Sequence, residues 1–281
     1  MARRSKTSAA AASARTSIDF TQRNEVALVT LNRPKRHNAF DESAVRELTE
    51  ALRSLDATTS VRAIVLLGAG ESFCAGEDLD WMRRIAGFAR EENVADANAL
   101  ARLLRTLHEM TKPTIARVHG PALGGGVGLV ACCDIAIATQ DATFALSEAK
   151  HGLIPATIAP YVVEAIGPRH ARRYMMTGER FGAAEAYRIG LVHDIVATIE
   201  ALDGRINELL GELFTAAPKA QCAAKALVRA VTNCRIDDRL VGETAQRIAD
   251  VRASDEGREG VAAFLERRPA AWLPAALRKK K

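Results

Sequence analysis

The stretch that decides the reading is Lys112–Leu129, KPTIARVHGPALGGGVGL. Thr114–Val118 has the β-branched content of a short strand. The glycine-rich run Gly120–Gly128 follows it and opens into the apolar helical run Leu129–Cys133. A strand-to-helix turn leaves the first N–H groups of the helix without intrahelical partners, with the positive helix end behind them. Glycines let that backbone approach a ligand closely, so the turn suits an anion or a developing oxyanion. A dinucleotide or phosphate loop fits less well, because Gly124-x-Gly126-x-Gly128 is not GxGxxG and no P-loop lysine follows.

Upstream, Glu25–Leu31 alternates as a strand and ends at the Arg33-Pro34 break. Asp41 then caps a helix that carries Val45, Leu48, Leu52 and Leu55 at helical spacing. Arg62–Leu67 reads as a buried strand ending in Gly68-Ala69-Gly70, and it leads to SFCAGEDL, Ser72–Leu79. A helix is expected around Asp96–Met110. Downstream, Asp134–Ala138 is a further strand, followed by FALSE, Phe144–Glu148. Beyond about residue 160 the pattern is helical, clearest over Ala201–Leu213, Lys219–Val231 and Arg239–Val251. Strands alternating with helices imply an α/β core, expected over residues 18–200. A helical region over 201–273 follows, with tails at 1–17 and 274–281. No fixed-period repeat is apparent.

Hydrophobic residues make up 48% of the 281 and aromatics only 5%, so an aliphatic core is expected. No run is long and apolar enough for a membrane span. The net charge of +5 is unevenly placed. Residues 1–17 and 267–281 hold ten Lys and Arg and no acid, which leaves the body between them at −5. Such tails read as solvated and disordered, and without a folded basic face they do not indicate nucleic-acid binding. Five cysteines without CxxC spacing argue against a disulfide framework or a metal site, and favour a reducing compartment. The start, MARRSKTSAAAASARTS, lacks the apolar centre of a secretory signal. Its composition suits a mitochondrial transit peptide or a bacterial extension, so the expected location is the cytoplasm in bacteria and the mitochondrial matrix in eukaryotes.

Two N–H groups from separate loops that converge on one oxygen form an oxyanion hole, and losing one donor typically costs about 2.7–4 kcal/mol. A carboxylate beside such a hole moves protons at the carbon next to the carbonyl. Singly, each glycine cluster could be a tight turn and Glu148 a surface acid. In combination, LNRPKRHNAF (Leu31–Phe40), GAGESFCAGEDL (Gly68–Leu79), the Lys112–Leu129 run, TGERFGAAEAYRIGLV (Thr177–Val192) and EGREGVAAFLERRPAAW (Glu256–Trp272) resemble the crotonase, or enoyl-CoA hydratase/isomerase, superfamily. Order and spacing match over residues 18–273.

The resemblance implies a ββα spiral core (the ClpP/crotonase-like fold) with a C-terminal helical region that trimerises, giving a homotrimer or a dimer of trimers. It implies an acyl-CoA thioester as substrate, with coenzyme A part of that substrate and no separate cofactor or metal. It assigns the oxyanion-hole N–H groups to Ala75 and Gly125 and the acid/base to Glu148. The CoA site falls on Lys35, His37, Ala39, Cys74, Glu77, Asp78, Leu79 and Gly124. By residue type alone, Lys35 and His37 read equally well as solvated surface.

Hydratases of this family usually carry a second glutamate three residues after the middle glycine, a position that here is Gly128. This leaves two readings. One is a Δ3-Δ2-enoyl-CoA isomerase shuttling a proton with a single glutamate. The other is a hydratase whose second polar group comes from elsewhere, with Glu77, Lys150 and His151 as candidates. GLVACCDIAIA and SEAKHGLIPATIAPYVV resemble a bacterial branch of 3-methylglutaconyl-CoA hydratases of leucine catabolism, and the related isohexenylglutaconyl-CoA hydratases, which also lack this glutamate; this favours the second reading. The distal carboxylate of such a substrate should meet Lys150, His151, Arg83 or Arg84. Cys132, Cys133 and His119 read as structural, and Trp81 and Met82 as an apolar wall or interface.

Overall fold

The computed structural model describes residues 16–275 together with Leu277 and Arg278. The expected tails therefore lie largely outside the described residues. The chain opens with a hairpin, β1 (Ile18–Arg23) and β2 (Val26–Leu31), followed by α1 (Glu42–Ala57) and β3 (Ala63–Gly68). As expected, the Asp41 side chain caps α1, accepting from Ala44 N–H at 2.9 Å. Next come α2 (Leu79–Ile85), α3 (Arg90–Glu109), β4 (Thr114–Val118), β5 (Ala122–Leu123) and α4 (Gly125–Cys132). The middle continues through β6 (Ile135–Thr139), β7 (Thr143–Ala145), α5 (Ala159–Thr177), β8 (Phe181–Gly182), α6 (Ala183–Arg188) and β9 (Asp194–Val196). Four helices close the chain: α7 (Ile199–Thr215), α8 (Pro218–Val231), α9 (Asp238–Ala253) and α10 (Asp255–Leu265).

The strands form two sheets. The larger has the order β1-β2-β3-β4-β6-β9 and is parallel except for the β1–β2 hairpin. The smaller is β5-β7-β8. The chain passes from the large sheet to the small one and back through a helix, β4-β5-α4-β6-β7, which is one turn of the expected ββα spiral. Parallel strands need both faces covered, and the alternation of side chains supplies this. Leu66, Ala116, Val118 and Ala136 face one core with α1, α3 and α4. Val65, Ile115 and Ile137 face the other way, onto Leu202, Ile206 and Leu210 of α7. The expected boundary at residue 200 is thus displaced. It falls inside α7, whose apolar stripe closes the second face of the sheet, so the core runs through Thr215.

Helices α8–α10 differ in kind. None of the α8 side chains is fully buried, and α9 and α10 bury only Leu240 and Ala263 respectively. Val228, Val241, Ile248, Val261, Phe264 and Leu265 are exposed. No described helix is long and apolar enough to cross a membrane.

Candidate active site

The loop after β3 is held by a residue in the left-handed region, Asn38, with φ of 57°. Its buried amide donates to Ala69 O and Ser72 O, both at 2.8 Å, and its Oδ1 accepts from Arg33 N–H at 2.9 Å. Arg33 in turn reaches the carboxylates of Asp41 at 2.7 Å and Asp78 at 3.1 Å. The Asp78 Oδ1 caps α2, accepting from Asp80 N–H at 2.9 Å. These contacts clamp residues 33–41 to residues 69–78.

The clamp sets which N–H groups are free. Phe40 pairs with Glu77 as in a parallel ladder: Phe40 N–H donates to Gly76 O and Asp78 N–H to Phe40 O. In that pattern the N–H of the residue between, Glu77, points away from Phe40. Ala75 N–H is already committed to His37 O at 2.9 Å. The expectation that Ala75 is an oxyanion donor is therefore corrected. Among the described residues the N–H groups of Glu77 and of Gly125, first residue of α4, have no acceptor. The loops that carry them touch, with Leu123 N–H donating to Cys74 O at 2.9 Å. A Cβ on Gly76, at φ 86°, would stand 2.9 Å from Leu123 O and 3.6 Å from the Gly125 nitrogen.

Glu148 meets this pair from the third segment, at the start of a 3-10 turn, Glu148–His151. Gly124, at φ 49° and ψ −117°, makes room for it: a Cβ there would lie 2.9 Å from Glu148 Oε1. No side chain tolerates both the conformation and the contact. Glu148 Oε2 is buried without a hydrogen-bond partner among the described residues. Burial, reinforced by the Glu77 carboxylate, raises the Glu148 pKa above the ordinary carboxylate value, while His151 opposes the rise.

Ala75, Glu77, Leu79, Gly124, Gly125 and Glu148 all line one cavity of about 480 Å³. The other expected ligand contacts do not. Ala39, Cys74 and Asp78 are buried; Ala39 O accepts from Arg33 Nη1, and the Cys74 thiol is pushed up to about 12 by burial. These three hold the loop rather than face a ligand. Lys35 and His37 are exposed and outside the cavity, with His37 Nδ1 3.0 Å from Ser72 Oγ.

Gly128 packs against apolar neighbours. A Cβ there would stand 2.3 Å from Ile158 Cγ2 and 3.4 Å from Leu104 Cδ2. The space a glutamate would occupy is filled by Ile158, which also lines the cavity. Of the expected cations, Lys150 and His151 line the cavity and are joined by Arg180, which the sequence reading missed. Arg180 lies 32 residues from Glu148 and no local pattern marks it. Arg83 pairs with Asp80, and the Arg84 guanidinium lies 4.4 Å from the Trp81 ring centroid; neither lines the cavity. Met82 forms part of the wall, whereas Trp81 packs edge-on against Phe88. Cys132 and Cys133 are buried, with thiol pKa values raised by burial. His119 Nε2 lies 2.8 Å from Gly70 O, as suits a structural residue.

Residues 21–274 match the family model described as enoyl-CoA hydratase/isomerase. An enoyl-CoA hydratase of Shewanella pealeana superimposes with a TM-score of 0.88 at 42% identity, covering 91% of this chain and 96% of that one. Enoyl-CoA hydratase ACTT6 of Alternaria alternata is 37% identical over 84% of this chain and 77% of its own length. Crotonyl-CoA hydratase of Syntrophomonas wolfei is 30% identical over 91% and 97%. Together with the ββα spiral and the cavity, these matches establish that the chain belongs to the enoyl-CoA hydratase/isomerase family of the crotonase superfamily and is an enzyme of that family.

Proposed function

We propose that the enzyme adds water across an α,β-unsaturated acyl-CoA. The observation that carries this reading is the pair of unpartnered N–H groups, Glu77 and Gly125, beside a buried carboxyl oxygen of Glu148 that also lacks a partner. In this reading the thioester oxygen sits between the two N–H groups. As water attacks the β-carbon, the π electrons move onto that oxygen, where preorganised donors stabilise charge with little reorganisation. The raised pKa keeps Glu148 protonated to higher pH than an ordinary carboxylate, as an acid that delivers a proton to the α-carbon requires.

Within that class we assign a glutaconyl-type thioester, 3-methylglutaconyl-CoA, and a place in leucine breakdown. Lys150, His151 and Arg180 share the cavity with Glu148 and offer positive charge to a distal carboxylate. The closure of the Gly128 site by Ile158 favours a second reading, a Δ3-Δ2-enoyl-CoA isomerase using Glu148 alone. An activity panel of crotonyl-, 3-methylglutaconyl- and 3-hexenoyl-CoA, with hydration and isomerisation followed separately, decides. Hydration should dominate and be fastest on 3-methylglutaconyl-CoA. Turnover of crotonyl-CoA at an equal or higher rate would remove the glutaconyl assignment, and isomerisation without hydration would establish the isomerase. The exposed apolar residues of α8–α10 support a homotrimer, single or paired, which sedimentation of the full chain would test.

A further inference from the structure

Among the described residues only two carboxylates line the cavity, Glu148 and Glu77. The α4 face cannot contribute a third without displacing Ile158. Lys150 and His151 are exposed at their turn, while Glu77 is half-buried at the junction of the two loops. The Asp96 carboxylate of α3 acts on Glu77, Glu77 acts on Glu148, and Lys150, His151 and Arg180 line the same cavity. Burial and the Asp96 charge raise the Glu77 pKa above the ordinary carboxylate value, which makes its carboxylate a stronger base than an exposed one.

We infer that the Glu77 side chain is the second catalytic group of the hydration, the base that activates water, on the same residue whose backbone N–H holds the thioester oxygen. The inference rests on the hydratase reading above. Glu77 carboxylate takes a proton from water as the water oxygen bonds to the β-carbon. The Cα=Cβ π pair moves to the thioester oxygen as an enolate. The enolate then re-forms the carbonyl as its α-carbon takes the proton of Glu148. Glu77 ends protonated and Glu148 ionised, and transfer of one proton between them restores the resting state. The Glu77 charge favours the protonated form of Glu148, raising its pKa.

Glu77→Gln and Glu77→Asp separate the side chain from the backbone donor, because both keep the N–H. In the full-length enzyme, hydration kcat should fall about 100-fold or more in Glu77→Gln, with KM within a few-fold, as expected for loss of a general base. Wash-in of solvent deuterium at the α-carbon of butanoyl-CoA needs only the oxyanion hole and Glu148 in its ionised form, which takes the α-proton and returns a deuteron, so it should fall less than about tenfold. Glu77→Asp should recover part of the hydration rate. The acidic limb of the pH–kcat profile, where an ionised base is required, should disappear in Glu77→Gln. A hydration loss below about tenfold, or equal losses of hydration and exchange, overturns the assignment. A wild-type enzyme that exchanges the α-proton yet hydrates none of the thioesters would instead refute the hydratase reading itself.

Discussion

The two proposed oxyanion donors, the N–H groups of Glu77 and Gly125, and the charged side chains of Glu148, Lys150, His151 and Arg180 are held in different ways. Glu77 N–H belongs to a loop tied down by the Asn38 amide on Ala69 O and Ser72 O, by Arg33 on Asp41 and Asp78, and by Phe40 paired with Glu77; Gly125 N–H follows a loop held by Leu123 N–H on Cys74 O and Gly124 N–H on Ala145 O. Glu148, Lys150, His151 and Arg180 project from a short 3-10 turn and from the segment after α5, and only Glu148 is substantially buried. In the proposed hydration the backbone half serves any thioester, and the side-chain half selects the carbon that receives a proton and the far end of the acyl chain. Changes to the side-chain half should therefore alter rate and selectivity with the fold intact, and changes to the backbone half should cost stability as well.

The largest effect is expected at Glu148. Glu148→Gln keeps the shape and removes the proton, so kcat should fall about a thousandfold with KM within a few-fold. Steady-state kinetics check this, and near-full activity would remove Glu148 as the acid. The contrast is Asn38→Ala. It strips a buried donor from two carbonyls, and leaving such groups unsatisfied should cost about 2–4 kcal/mol in denaturant unfolding. Activity should fall with it, because the loop that aims Glu77 N–H loses its tie. Next in size is Lys150→Met, alone and with Arg180→Met. Losing a charged partner to the distal carboxylate should lower kcat/KM for 3-methylglutaconyl-CoA about tenfold to a hundredfold. Crotonyl-CoA, which has no such carboxylate, should lose much less, and equal losses on both substrates would break the glutaconyl assignment.

The backbone half was the more legible of the two from sequence, with one informative failure. Strand, glycine turn and helix follow from local chemistry, so Thr114–Val118 is the strand expected, while α4 starts at Gly125, four residues before the expected Leu129, inside the glycine run. Which N–H faces the cavity does not follow, because it depends on the pairing of Phe40 with Glu77, a contact between distant segments. The parity of that pairing leaves the N–H of Glu77, and not that of Ala75, without an acceptor. The fate of Gly128 was hidden for the same reason, since Ile158, which fills its space, comes from another segment. No strand was expected at Ile18–Arg23, where only Ile18 is buried and the alternation is lost. Helix α5 carries Gly167-Pro168 within it, with Gly167 outside the helical region at φ 73°, and this interruption obscured its extent.

The smallest effect concerns stability, and it distinguishes a poised site from a merely acidic one. Burial raises the Glu148 pKa in the folded protein above its ordinary value of 4.5. Between the unfolded and folded values the native state binds more protons than the unfolded chain, so stability falls as pH rises. The contribution is fully present below the unfolded value and is lost once pH passes the folded one. Glu148→Gln has no proton to lose at this site. Its melting temperature, measured at steps from pH 4 to pH 8, should therefore decline less than that of the wild type, with the two curves separating only above the ordinary carboxylate range. A donor-loop variant such as Asn38→Ala should lower the melting temperature by a similar amount at every pH, because no titrating group is removed. Parallel curves for wild type and Glu148→Gln would mean that Glu148 ionises as freely in the cavity as in water. The acid proposed for the α-carbon would then have to be another group.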